Sequence, residues 1–347
     1  QGRPCRRENF QIAIICALPL EYDAVSLLFD QLWDDDESYG RARGDMNSYT
    51  TGRMGKFDVV LALLPNMGTA AAAGAAASLR SSYCGLQLAF LVGICGGVPG
   101  EGAMQVRLGD VVISRSAVQY DLGKQYPETF MSKSTTADRL GRPNKNIRSL
   151  VALCESEFGR ERLQLKACAH LKVLQAEAIR KRRQSNYQFP GRDNDKLFPP
   201  TYRHKHRGAQ ACLLCNEQAD GFCEEAAWTS CVKLGCDEHQ LVGRPSTMTS
   251  DSQHIEELRP RILVGQMASG STVMKSGEHR DQLAQQHNVV AFEMEGAGIW
   301  DEVPCIIVKG VCDYADSHKN DLWQPYAAAA AASVTKAVLG RYDMTDG

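Results

Sequence analysis

Short, uninterrupted apolar runs, each closed by a polar or glycine-rich turn, recur in both end regions of this chain and constrain its fold more than any other feature. Residues 11–17 (QIAIICA) are rich in isoleucine and have no polar face, as a strand covered on both sides requires. Residues 57–64, 88–94, 109–114 and 305–311 repeat the texture. Between them lie helical patterns at residues 21–29 and in two alanine-rich stretches, 69–80 and 326–340. Strands alternating with helices define the α/β class, here a single domain with a central, mostly parallel or mixed sheet flanked by helices.

Composition narrows the function classes. A chain of 347 residues with 44% hydrophobic content can bury a large core, and its net charge of −2 argues against nucleic-acid or membrane-surface partners. The apolar runs are too short to span a bilayer, and no charged n-region with an apolar h-region opens the sequence. Thirteen cysteines are an odd number, and several sit singly in apolar runs (Cys16, Cys95, Cys305, Cys312). They are expected to be buried thiols in a reducing, cytoplasmic setting.

Residues 128–260 interrupt the α/β pattern within a domain spanning 10–342. The block is polar, basic and cysteine-bearing, with one clear helical stretch at 146–183. Its RKRR run, Arg180 to Arg183, is expected to be a solvated helix end rather than an import signal or phosphate patch.

Ligands of open α/β sheets bind beyond strand C-termini, which draws attention to four turns. Glu21 follows the first strand; Gly68 follows Leu64-Pro65-Asn66-Met67; Gly96 closes residues 88–94. Glycines there let backbone amides approach a ligand, and equally mark tight turns. The fourth turn, Phe292-Glu293-Met294-Glu295-Gly296, carries two carboxylates, and the strand after it ends in Cys312-Asp313-Tyr314-Ala315-Asp316.

The segments GDVVIS, ASGSTVMKSG, FEMEGAG and VKGVCDYAD, in that order, resemble the nucleoside phosphorylase and nucleosidase superfamily, especially its methylthioadenosine/adenosylhomocysteine nucleosidase branch. ICALPLEYDAV, LVGICGGVPG, YRHKHR and DYADSHKN are similar to fungal members fused to NACHT or ankyrin-repeat regions. The superfamily likeness covers about residues 10–127 and 261–342, and the closer likeness includes the insertion.

The resemblance implies N-glycosidic bond cleavage in a purine nucleoside or nucleotide, releasing a free purine, with adenine favoured. Such chemistry needs a proton for the leaving base, stabilisation of an oxocarbenium-like sugar and a nucleophile below it. Asp313 matches the general acid, a role that calls for a carboxyl able to hold a proton. Glu295 matches the glutamate that grips the ribose hydroxyls, with Met294 under the sugar and Glu293 beside them. Val273 and Met274 should lie along the base, and Tyr120 and Asp121 toward the 5′ side with Arg203, Lys205 and Arg207. Glu21 matches the nucleosidases' water-holding glutamate. Where phosphorylases carry an arginine and a serine at the third strand end, this chain has Leu91 and Ile94, so hydrolysis is favoured over phosphorolysis; Arg107 and Arg53 are the alternative phosphate-binding cations. Cys312 stands where the family often has serine or threonine, which keeps open a catalytically idle recognition or oligomerisation domain of a larger immune-type receptor. Family members form homo-oligomers, for which Trp323 and Tyr326 are candidate interface aromatics, though they fit internal packing equally well.

No cofactor is expected for catalysis. In the insertion, Cys212-x2-Cys215 precedes Cys231-x4-Cys236, with Cys223 between and His239 after. Two close pairs suit a tetrahedral structural zinc held by Cys212, Cys215, Cys231 and Cys236, against the alternatives of unligated thiols or adventitious disulfides. His204 and His206 are the alternative ligands, though they are expected rather near the surface or the substrate mouth.

Overall fold

The computed structural model describes residues 2–33, 39–100, 105–133, 140–207, 212–216, 221–244 and 259–343. Residues 134–139, 208–211, 217–220 and 245–258 of the expected insertion lie outside the described residues. Eleven strands appear among the described residues: β1 (Ile12–Cys16), β2 (Gln31–Leu32), β3 (Tyr49–Met54), β4 (Phe57–Leu63), β5 (Leu88–Gly97), β6 (Val111–Gln119), β7 (Gly123–Gln125), β8 (Phe130–Ser132), β9 (Ile262–Ser269), β10 (Ala291–Glu293) and β11 (Cys305–Asp313).

Nine of them form one mixed sheet in the order β10-β9-β6-β11-β5-β1-β4-β3-β2. β1 is parallel to β4 and β5, and β5 is parallel to β11. β1 and β11 are buried at every position, because helices cover both faces and leave no room for a polar side. β10 also pairs antiparallel with β5, Ala291 opposite Gly97 and Phe292 opposite Gly96. That extra pairing closes β5, β11, β6, β9 and β10 into a ring, and the closure carries Glu293 and its neighbours to the ends of β5 and β11.

The terminal helix Gln324–Leu339 is buried around almost its whole circumference. Its run of alanines lets it lie close against β11 and β5 on one side and the helix Glu157–Arg180 on the other. Trp323 and Tyr326 are internal: Trp323 is 0% exposed and Tyr326 2%, so they pack the core rather than offer an interface.

The stretch expected as one helix is two, Lys145–Glu155 and Glu157–Arg180, broken at Ser156. Ser156 has extended backbone and its hydroxyl accepts the Gly159 N–H, an N-cap that starts the second helix. Leu163, Ala167, Leu171, Leu174 and Ala178 form its buried stripe and join the main core with Tyr187 and Leu197. Arg180 pairs with Glu177 at the exposed helix end. Beyond residue 200 the packing differs. A small separate core holds Cys215, Cys223, Ala226 and Leu234.

Candidate active site

The parallel strands β1, β5 and β11 end at one edge of the sheet, and the chain turns there place three acidic side chains. Pro19 opens the helix Pro19–Ser26 directly after β1, its fixed φ suiting the first turn. Glu21 is therefore held in that turn, and its Oε2 accepts the backbone N–H groups of Ala17 at 2.8 Å and Leu18 at 3.0 Å. Its Oε1 accepts the N–H of Ile94, at 2.8 Å, from β5. A Cβ at position 93 would fall inside this carboxylate, so glycine there admits Glu21. Burial raises the Glu21 carboxyl above the usual range, with Lys309 opposing. Three amides occupy roughly three of the four lone-pair sites of a carboxylate, leaving about one for a water.

Glu295 begins the short helix Gly296–Trp300. Its Oε2 lies 3.0 Å from Lys309 Nζ on β11, and both side chains are buried. Burial works against the Lys309 charge, but Glu295, Glu21 and Glu293 outweigh it and hold the ammonium above its ordinary value. The Gly68 amide, at a φ of 108° just before the helix Thr69–Ser82, points to Glu295 Oε1 at 3.4 Å. Glu293 is turned onto its own loop. Its carboxylate accepts N–H groups of Glu295 and Gly296 at 2.9–3.1 Å, so it organises the turn that presents Glu295.

Asp313 ends β11 and is 4% exposed. Its Oδ1 accepts the Ala315 N–H at 2.8 Å, while Oδ2 receives the Cys312 thiol at 3.0 Å and lies 2.9 Å from Lys319 Nζ. Burial pushes the Cys312 thiol well up, keeping it a protonated donor. An ammonium, rather than apolar burial alone, is thus the immediate environment of Asp313. A Cβ on Gly96 would stand 2.8 Å from Ala315 Cβ and 2.9 Å from Asp313 Oδ1, which explains glycine at that strand end.

Met274 packs beside Tyr120, Phe292 and Ala315. Val273 is half exposed and Met294 half-buried. The Tyr120 hydroxyl donates to the Thr272 carbonyl at 3.0 Å, and Asp121 accepts the Ser271 N–H at 2.7 Å, so both brace the loop that carries Val273 and Met274. Arg207 lies over the Tyr202 ring. Arg53 pairs with Asp58 toward the sheet edge, and Arg107 reaches Gln105.

Sequence reasoning missed Lys309, Lys319, Arg280 and the Asp195–Arg244–Tyr314 group. Arg280 is 1% exposed and donates to the Tyr314 carbonyl at 2.8 Å. The Tyr314 hydroxyl lies 2.5 Å from both Asp195 Oδ1 and Arg244 Nη1, tying the insertion to the turn after Asp313. One signal was visible for Lys309: a single charge inside an otherwise apolar strand.

The cysteines do not gather as expected. Cys212 and Cys215 join Cys223 and His206, whereas Cys231 and Cys236 join His204 and His318. The four-cysteine set is therefore replaced by two mixed groups, and His204 and His206 face cysteines instead of a substrate mouth. The loop bearing Asp313 supplies His318, which no local spacing could pair with the insertion.

A sequence profile of the phosphorylase superfamily matches residues 11–167. Over that stretch, a little under half of its length, the chain is similar to the phosphorylase superfamily. Its fold is similar to that of a 5′-methylthioadenosine/S-adenosylhomocysteine nucleosidase from S. pneumoniae with the transition-state inhibitor MT-ImmA, at 16% identity and a TM-score of 0.55 over 96% of this chain and 100% of that one. A futalosine hydrolase mutant of Helicobacter pylori gives 14% identity and a TM-score of 0.53 over 96% and 99%. In sequence the chain is 29% identical over 339 residues to a nucleotide-binding leucine-rich repeat (NLR)-like protein of Hyaloscypha variabilis, covering 96% of this chain. It spans 29% of the length of that relative. No helix among the described residues is long and apolar enough to cross a membrane.

Proposed function

We propose that this chain is a member of the phosphorylase superfamily and a purine nucleosidase that hydrolyses the N-glycosidic bond of a nucleoside or nucleotide, adenine being the favoured base. Asp313 passes a proton to the leaving purine, Glu295 binds the ribose hydroxyls, and Glu21 holds the attacking water and takes its proton. The bond from the sugar carbon to the purine nitrogen breaks, and the water oxygen bonds to that carbon. Lys319 pairs with the Asp313 carboxylate that is left once the proton has gone to the base. The nucleosidases of similar fold bind methylthioadenosine-like inhibitors, which supports a purine nucleoside.

The observation that carries hydrolysis over phosphorolysis is the place of Glu21. The Ile94 amide, at the strand end where a phosphate would need donors, is already taken by this carboxylate. Lys309 is paired with Glu295 and Lys319 with Asp313. An incoming dianion would meet negative charge there at low dielectric. Base release from a panel of nucleosides and nucleotides, with and without phosphate, tests this. Strict phosphate dependence would overturn it.

A second reading is favoured by the NLR-like relative: a recognition domain of a larger immune-type receptor. Inactivity of the wild-type chain across the same panel, with ligand binding retained, would support it. A homo-oligomer is part of our reading, supported by the exposed apolar residues Phe130 and Met131 on the β7–β8 hairpin, and light scattering in solution tests it.

A further inference from the structure

Away from the carboxylates, the two cysteine–histidine groups have the dimensions of coordination shells. With zinc–sulfur distances near 2.3 Å and zinc–nitrogen near 2.0–2.1 Å, a regular tetrahedron has S···S edges of about 3.8 Å, S···N edges of about 3.6 Å and N···N edges of about 3.3 Å. In one group, His204 Nδ1 and His318 Nδ1 are 3.3 Å apart. Cys231 Sγ lies 3.6 and 3.5 Å from them, and Cys236 Sγ lies 3.4 Å from His204 Nδ1. In the other, Cys212 and Cys223 Sγ are 3.8 Å apart, and His206 Nδ1 is 3.5 Å from Cys215 Sγ and 3.8 Å from Cys223 Sγ. A disulfide would need sulfurs at about 2.05 Å.

The protons point the same way. His204 Nε2 lies 2.7 Å from the Thr229 carbonyl and His318 Nε2 lies 2.7 Å from the Tyr202 carbonyl. A carbonyl only accepts, so each Nε2 carries hydrogen and each neutral ring turns a lone pair at Nδ1 toward the other. Two lone pairs facing across 3.3 Å repel; a proton on one ring would bridge that pair alone, leaving the sulfurs of Cys231 and Cys236 facing the same nitrogens. A cation among the four ligand atoms removes the conflict, and imidazoles oriented by backbone carbonyls are the usual support of such an ion. Among its described residues the segment's own apolar core is four buried residues, too small to hold it folded alone.

We propose that this chain binds two structural zinc ions, one at His206, Cys212, Cys215 and Cys223 and the other at His204, Cys231, Cys236 and His318. Mixed thiolate and imidazole donors in tetrahedral array select zinc over oxygen-seeking cations. The second ion does more than fold the insertion. His318 adjoins Lys319, whose ammonium pairs with Asp313, so the ion pins the loop beyond β11 to the insertion.

Metal analysis of the purified, untagged chain, expressed with zinc and dialysed without chelator, should find about two zinc per chain. X-ray absorption at the zinc edge should show five sulfurs and three nitrogens shared between the two ions. The pair Cys212→Ser/Cys215→Ser and the pair Cys231→Ser/Cys236→Ser should each lower the content to about one. Only the second pair should speed hydrogen exchange over residues 313–319. Less than about half an equivalent of zinc in the wild type, or a single ion in an all-sulfur shell, overturns the proposal. Unchanged exchange in the second pair overturns the pinning. Should either variant aggregate, cobalt titration of the wild-type chain decides: tetrahedral thiolate bands saturating at two equivalents support two sites, and saturation at one refutes them.

Discussion

Lys309 Nζ lies 3.0 Å from Glu295 Oε2 in a place where neither side chain is more than 4% exposed. A buried pair of this kind is costly to break from one side, because the partner left behind keeps its charge without compensation. Glu21 and Glu293 add negative charge around the same ammonium. Lys309→Met should therefore destabilise the protein by about 3–5 kcal/mol in urea unfolding. Lys309→Met combined with Glu295→Gln should recover part of that loss. An unfolding midpoint for the single variant equal to wild type would show that the ammonium is not the keystone of the cluster.

Asp313→Asn keeps the Ala315 N–H contact but cannot pass a proton to the leaving base. General acid help is worth about 10²–10⁴ in rate, so kcat should fall by about that factor while KM changes less. Retention of more than about a third of wild-type turnover would remove Asp313 from the role of acid.

Burial raises the Glu21 carboxyl, and that has two consequences with opposite pH signs. As a base, Glu21 must be ionised, so the acid limb of kcat/KM should fall at a pH above the ordinary glutamate range. For stability, the folded chain binds this proton more tightly than the unfolded one. The contribution is complete below the unfolded value of about 4.3 and is lost as pH rises through the folded value. Glu21→Gln should thus gain stability relative to wild type as pH rises across that window, while losing hydrolysis. A stability difference that does not change with pH would contradict the assignment.

Gly93→Ala should act through Glu21. The added Cβ must displace that carboxylate from the Ala17, Leu18 and Ile94 amides. A shift of about 1 Å in a catalytic group can cost about 10²-fold in rate, and overpacking typically costs about 1–3 kcal/mol. Normal turnover in a folded Gly93→Ala protein would mean that Glu21 need not sit where it does.

What the sequence determined by itself was local or depended on a local pattern. Uninterrupted apolar runs specify strands covered on both faces, and Pro19, Gly68 and Gly96 mark the turns at their ends, because strand and helix periods and backbone freedom act over a few residues. That sufficed for the α/β class and for marking the turns that carry Glu21, Glu295 and Asp313 as sites for a ligand. Tertiary structure alone decided which side chains meet. The pairing of β10 with β5 closes the ring that delivers Glu295 to Lys309, and the turn after β11 folds Lys319 back onto Asp313. It also split the four cysteines, since His318 reaches Cys231 across 87 positions. Spacing along a chain records only what one segment can arrange alone, whereas a coordination shell or a buried ion pair is closed by whichever distant segment the sheet order brings within 3–4 Å.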